Sequence, residues 1–368
     1  MTLLEFILFL VGFGLLVLGA ELLVRGSSSL ASALGISPLI IGLTIVAYGT
    51  SAPELAVSIK AGLAGQPDLA LGNVVGSNIF NVLFVLGLSA AICPLVVSQQ
   101  LVVLDVPILI GLSLLLLGMV VFDGTVSRVD GLILVAGMIG YTLLQVRIAK
   151  REKPDIQAEY AQHYGAKNTT KPGPARLALF VGYCIVGLGL LVLGTHWFVN
   201  GAVAIAAALG VSELVIGLTI VAAGTSMPEV FTSVVAAIKG ERDIAVGNAV
   251  GSSIFNIIAI LGIASVVTPG GLTAAPHLVA VDLPIMIGVA VACLPIFFTG
   301  HSIDRWEGVV LFAYYIFYTV YIILKSTGDT DWLPMFQSGM FLFVIPLTVI
   351  TLVASAGHAW RRRGFPAA

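Results

Sequence analysis

The chain has 368 residues, of which 58% are hydrophobic and only 10% charged, with a net charge of −2. A soluble domain carries roughly 25% charged residues, so this composition excludes a soluble globular protein of this length. The charge balance excludes a basic nucleic-acid-binding surface. Cys93, Cys184 and Cys293 lie in apolar segments without C-x-x-C spacing and read as small buried hydrophobes.

In chain order, apolar runs that approach or reach the ~20 residues needed to cross a bilayer predict five spans in the first half, at about 3–23, 38–63, 68–92, 101–122 and 128–148. The first run lacks a positive n-region and an A-x-A site, so it is read as a span and not as a cleaved leader. A polar segment, 147–176, holds seven of the 17 Lys and Arg residues. Five more spans follow at about 178–199, 213–238, 243–267, 278–298 and 306–324. A further apolar stretch, 339–356, precedes Arg361, Arg362 and Arg363 and predicts an eleventh span. The positive-inside rule places the central loop and the C-terminal tail in the cytoplasm and the N-terminus outside. The chain therefore divides into a first membrane repeat (1–150), a cytoplasmic linker (151–176), a second membrane repeat (177–325) and an extra C-terminal span with a basic tail (326–368). A multi-pass protein of the cell membrane is expected.

The two halves are related. Residues 42–87 align without a gap on 217–262, with 26 identities in 46 positions. Gly19, Gly26, Leu34, Gly35 and Ser37 fall at the same offset of 175 on Gly194, Gly201, Leu209, Gly210 and Ser212. Fixed-offset self-similarity marks an internal repeat. Five spans per half is odd, so the second half enters from the opposite face. The expected fold is an all-α membrane protein of two inverted-topology five-helix repeats, ten transmembrane helices plus the eleventh, a build typical of secondary transporters.

Each half carries the same two motifs. Gly49-Thr50-Ser51-Ala52-Pro53-Glu54 recurs as Gly224-Thr225-Ser226-Met227-Pro228-Glu229. A carboxylate in mid-span costs ~2.5–3.5 kcal/mol and marks an ion path. Pro53 and Pro228 each remove a backbone donor, which is expected to bare carbonyls near Ala47, Gly49 and Thr50 in mid-span; bare carbonyls in hydrocarbon need a cavity or a ligand. Thr50 and Glu54 share a helix face, with Ser51 beside them. The set is all oxygen, as sodium and calcium prefer. The second motif aligns Asn73, Ser77 and Asn81 at i, i+4, i+8, repeated as Asn248, Ser252 and Asn256. A single proline-kinked helix with one Glu can be only a kink; two full copies at one offset point to a site.

Other polar residues carry less. Asp68, Asp243, Asp105 and Asp282 are expected to cap helices. Glu21 and His196 occupy matching positions at an interface or entrance. Trp197, Trp306, Trp332 and Trp360 are expected at span ends.

The paired motifs resemble the two α-repeats of the calcium/cation antiporter superfamily, in its prokaryotic sodium/calcium exchanger branch, over about residues 1–324. The resemblance implies ion sites in a diamond at the midplane. Glu54 and Glu229, with the carbonyls of Thr50 and Thr225, would bind calcium. Sodium would use Ala47, Thr50, Ser51, Glu54, Ser77 and Asn81 on one side and Ala222, Thr225, Ser226, Glu229, Ser252 and Asn256 on the other, with Asn73, Asn248, Pro53 and Pro228 in support. Proton-coupled relatives tend to carry Gly-Asn-Ala-x-Glu, whereas both copies here read Gly-Thr-Ser-x-Pro-Glu. Potassium-dependent relatives, and some archaeal ones, carry Asp where this chain has Asn256, so the resemblance argues against potassium cotransport. The departure Ser253 for Asn78 is read as minor.

The resulting expectation is a secondary active antiporter exchanging sodium for calcium by alternating access, with calcium extruded as sodium enters. A calcium/proton antiporter is the alternative, and a passive cation channel a weaker one. With no nucleophile–base pair and no His/Cys metal cluster, no enzyme and no cofactor are expected. The partners are calcium ions, sodium ions and the lipid bilayer, without nucleic acid; the assembly is left open, with a monomer as the working expectation.

Overall fold

The computed structural model describes residues 2–151, 173–329 and 331–351. Most of the linker expected at 151–176, and Trp360 with the arginines of the basic tail, lie outside these residues. Among the described residues nine helices are long and apolar enough to cross a bilayer, and two bent pairs bring the total to eleven. The first half comprises α1 (Leu3–Leu34), α2 (Pro38–Thr50 and Ala52–Leu63), α3 (Pro67–Ile92), α4 (Leu101–Asp123) and α5 (Arg128–Arg151). The second comprises α6 (Pro174–Ala208), α7 (Glu213–Gly224 and Met227–Ile238), α8 (Arg242–Val267), α9 (Leu278–Phe298) and α10 (Arg305–Thr327). Helix α11 (Trp332–Thr351) follows and starts before the apolar run at 339; the Tyr314 hydroxyl of α10 donates to its Thr348 Oγ1 at 2.6 Å.

Helices α1 and α6 are longer than expected, at 32 and 35 residues. At 1.5 Å per residue they extend about 48 and 52 Å, beyond a ~30 Å hydrocarbon core. A capping box of Thr2 and Glu5 starts α1, and Gly35 in the left-handed region ends it. Arg25 and the serines at 27–29 do not break the helix, and Ser27 is fully buried against Cys184. The two helices run antiparallel on a seam of glycines spaced by seven. A Cβ at Gly19 would stand 2.8 Å from the Gly187 carbonyl, one at Gly194 2.9 Å from the Gly12 carbonyl, and one at Gly26 2.9 Å from Cys184 Sγ. Only glycine permits backbones to meet this closely.

Helices α3 and α8 form the buried centre. Two short strand pairs tie the halves together at the helix ends. β1 (Leu95–Val96) pairs antiparallel with β4 (Ser302–Ile303), and β2 (Thr125–Val126) with β3 (Leu272–Thr273). The registers are reciprocal: Leu95 faces Ile303, and Leu272 faces Val126.

Four aspartates correct the capping expectation. Asp105 and Asp282 end the π-helical first turns of α4 and α9, Leu101–Asp105 and Leu278–Asp282, so neither helix starts there. Each accepts a tyrosine hydroxyl from the next helix but without a cap bond: Tyr141 to Asp105 at 2.9 Å and Tyr318 to Asp282 at 3.0 Å. Asp105 is fully buried and also accepts from Gln145 (2.7 Å) and Gln100 (3.1 Å). Asp68 and Asp243 lie inside first turns whose cap positions are Gln66 and Glu241. Trp306 and Trp332 begin α10 and α11, as expected, whereas Trp197 lies within α6. Glu21 of α1 pairs with Lys239 at 2.7 Å, while His196 contacts Asn200 of its own helix.

Candidate ion-binding site

The two broken helices bend by 43° in α2 and 54° in α7. Each is interrupted at a serine with near-zero ψ, Ser51 (ψ 8°) and Ser226 (ψ 11°). Pro53 and Pro228 occupy the second position of the downstream arms, where a missing N–H strands no helical acceptor. The proline therefore fixes where the downstream arm begins, and it does not bare the Ala47 carbonyl as expected: the Ser51 N–H still donates to Ala47 O at 3.1 Å. In the second half the Ser226 N–H donates to Ala223 O, not Ala222 O, at 3.2 Å. Both upstream arms contain a wider π turn, Gly42–Val46 and Gly217–Val221, a distortion that recurs at functional sites.

Glu54 and Glu229 are each 1% exposed. Ser226 Oγ donates to Glu54 Oε1 at 2.8 Å, and Ser51 Oγ donates to Glu229 Oε1 at 2.9 Å. The two bonds cross, so each break is clasped by the other. In both glutamates the second oxygen, Oε2, is buried without a partner. Neither carboxylate pairs with a basic side chain among the described residues. An ionised carboxylate buried in this state is strongly disfavoured unless a cation meets it or a proton neutralises it.

The stripes on α3 and α8 surround this clasp. Ser226 Oγ also donates to Ser77 Oγ at 3.3 Å. Thr50 Oγ1 donates to Asn248 Oδ1 at 3.0 Å and lies 3.5 Å from Ser252 Oγ. Asn81 and Asn256 are 1% exposed, and the Oδ1 of each is buried and unpartnered. Asn73 and Asn248 brace the downstream arms: their Nδ2 atoms donate to Ser58 and Ser233 at 3.0 Å and to the Glu54 and Glu229 carbonyls at 3.3 and 3.4 Å. Ser58 and Ser233 were not singled out from sequence, although their identity at offset 175, four residues after each Glu, was the available signal. Tyr48, also missed, donates or accepts at Thr142 Oγ1 (2.7 Å) and stacks on Phe255.

Two expected residues are less enclosed than their counterparts. Ala222 is exposed and Thr225 only half-buried with its Oγ1 unpartnered, whereas Ala47 and Thr50 are buried. The cause lies in the seam between broken helix and stripe. A Cβ on Gly247 or Gly251 of α8 would meet the upstream arm of α2, at 2.9 Å from Leu39 O and 2.7 Å from Leu43 Cα. At the matching Gly76 of α3 nothing lies within 4 Å, and Gly217 of α7 likewise faces open space. One seam is closed and its counterpart is open.

These features define a class first: a multi-pass membrane protein in which two broken helices bury a clasped pair of carboxylates with unfilled oxygens. Known proteins then place it. The family described as "Sodium/calcium exchanger protein" matches residues 4–147 and 179–324. "Putative antiporter CaxA" of Alkalimonas amylolytica is 38% identical over 322 residues, covering 86% of this chain and 98% of that protein. "Sodium/calcium exchanger MaX1" of Methanosarcina acetivorans is 32% identical, covering 86% of this chain and 97% of its own length. A solved structure of the sodium-calcium exchanger NCX_Mj aligns with a TM-score of 0.73 at 30% identity, over 86% of this chain and 98% of that one. The chain belongs to the sodium/calcium exchanger family, a family of membrane transporters.

Proposed function

We propose that this cation/calcium antiporter is coupled to sodium, and that sodium entry drives calcium out of the cell by alternating access around one shared site. The observation that carries this reading is the clasp: two buried carboxylates, each with one oxygen held by the opposite half and the other unfilled, and no base to pair them among the described residues. One calcium or two sodium ions neutralise the two glutamates, and a third sodium leaves one net charge, worth ~2.3 kcal/mol per 100 mV. Glu54 and Glu229 with Thr50 and Thr225 serve calcium. Sodium uses the same glutamates and threonines with Ala47, Ser51, Ser77 and Asn81 on one side and Ala222, Ser226, Ser252 and Asn256 on the other. Competition between the ions follows, because both need one pair of carboxylates.

The inverted arrangement belongs to this proposal. It is supported by the antiparallel run of the equivalent helices α1 and α6. It is supported again by the strand pairs, which join the loop after the third helix of one half to the loop after the fourth of the other. Equivalent loops then lie on opposite faces. On this reading 1–150 and 177–325 are the two repeats, 151–176 is a cytoplasmic linker, 326–368 adds a span and tail, and the N-terminus is outside. The open seam beside α7 and the closed one beside α2 support access from one face at a time.

The test is calcium uptake into liposomes containing the purified protein. An outward sodium gradient is expected to drive uptake and a pH gradient alone is not. Uptake driven by the pH gradient and indifferent to sodium would move the chain to proton coupling, and flux without any counter-ion would make it a channel.

A further inference from the structure

Asn78 and Ser253 occupy matching positions of the two halves and differ. The difference is not minor. Asn78 is 2% exposed, and its Nδ2 donates to the Ser253 carbonyl at 3.0 Å. A backbone carbonyl can only accept, so this bond fixes which way the Asn78 amide points. Its Oδ1 is turned the other way and accepts from Asn256 Nδ2 at 3.0 Å. Asn256 then has its NH2 committed to Asn78, and its Oδ1 remains buried without a partner. The polarity of one carbonyl is thus relayed through two amides and sets the atom that Asn256 leaves free, an acceptor and not a donor. The other half lacks this relay: Ser253 Oγ donates to Ala249 O in its own helix at 2.9 Å.

We infer that Asn78 is a positioning residue for sodium, holding the Asn256 amide so that its oxygen, and not its NH2, faces the transported ion. This rests on the proposed role of Asn256 as a sodium ligand. An amide free to turn presents hydrogen to a cation for part of the time, and that weakens binding. Calcium, which draws on the glutamates and threonines, is affected less. Asn81 is independent of this relay.

The experiment measures half-saturation by sodium and by calcium in sodium-dependent ⁴⁵Ca exchange, with variants first shown to be monodisperse in detergent. Asn78→Ser, which gives both halves the same residue, is expected to raise the sodium half-saturation about fivefold, the size of one lost neutral hydrogen bond. The calcium value and the maximal rate are expected to stay within about twofold. In an Asn256→Ala background the same substitution has no further effect, while in an Asn81→Ala background its full effect persists. Equal effects in both backgrounds, or an unchanged sodium value in the folded Asn78→Ser protein, overturn the relay. Should Asn78→Ser not fold, Asn78→Thr is put through the same cycle, with the sodium-induced shift in melting temperature as a second readout; an unaltered shift counts against the relay. If Asn256→Ala itself leaves sodium half-saturation unchanged, the ligand role of Asn256 fails, an outcome distinct from failure of the relay alone.

Discussion

The upstream arms of α2 and α7 carry the same run, Gly-Leu-Thr-Ile-Val-Ala, at 42–47 and 217–222. Val46 is nevertheless fully buried and Val221 is 51% exposed. The arms fold alike, each with a π turn over the same five positions, so the difference does not arise within them. It arises across the seam, where α8 closes on one arm and α3 stands clear of the other. One sequence is compatible with both environments, as the proposed alternating access requires. At the clasp itself the halves agree to within 0.1 Å, at 2.8 and 2.9 Å. The molecule is symmetric at the two serine–glutamate bonds of the clasp and asymmetric at the seams beside it.

The largest expected effect tests the symmetric part. Ser226→Ala removes the donor to Glu54 and Ser51→Ala the donor to Glu229. A hydrogen bond to a charged group contributes ~1.5–3 kcal/mol, so each variant is expected to weaken calcium binding by at least about tenfold. Calorimetric titration in detergent gives both numbers, and a gap of more than about tenfold between them breaks the claimed equivalence of the two clasps.

The seam comes next. Gly251→Ala puts a methyl group against Leu43, whereas Gly76→Ala puts one in open space. Overpacking costs about 1–3 kcal/mol, so thermal unfolding should show Gly251→Ala clearly destabilised and Gly76→Ala near wild type. The reverse order contradicts the assignment of closed and open seams. A smaller effect is expected at Tyr48, whose counterpart is Ala223. Tyr48→Phe loses the bond to Thr142 and keeps the stack on Phe255; a neutral hydrogen bond of about 0.5–1.5 kcal/mol gives a few-fold change in exchange rate. The smallest effect belongs to Glu21→Gln, which breaks the exposed pair with Lys239. Exposed pairs contribute little because water and salt screen them, and any change in rate should vanish at high salt.

Much of this was legible in the sequence. The offset of 175 fixed the two Thr-Ser-x-Pro-Glu motifs, the two stripes and the broken helices, because each is a local pattern repeated. The sequence did not distinguish the arms, since identical residues cannot encode which gate is shut. The extent of α1 was hidden by Arg25 and its neighbouring serines, which are met by side chains of the facing helix remote in the chain: Arg25 lies over the Tyr183 ring and Ser27 against Cys184. Asp105 read as a cap because the following Pro107 suits a helix start, yet the helix begins earlier and the carboxylate serves Tyr141 and Gln145 instead. The departure Ser253 for Asn78 reads as minor in sequence because the bond Asn78 makes goes to a backbone carbonyl 175 residues away.

The central claim is that Glu54 and Glu229 form one site shared by both ions. Its most direct test is ⁴⁵Ca uptake into sodium-loaded liposomes by the wild type, Glu54→Gln and Glu229→Gln. The account predicts sodium-dependent uptake by the wild type and none above protein-free liposomes by either variant, with all three proteins folded. Sodium-driven uptake retained in both variants would contradict it.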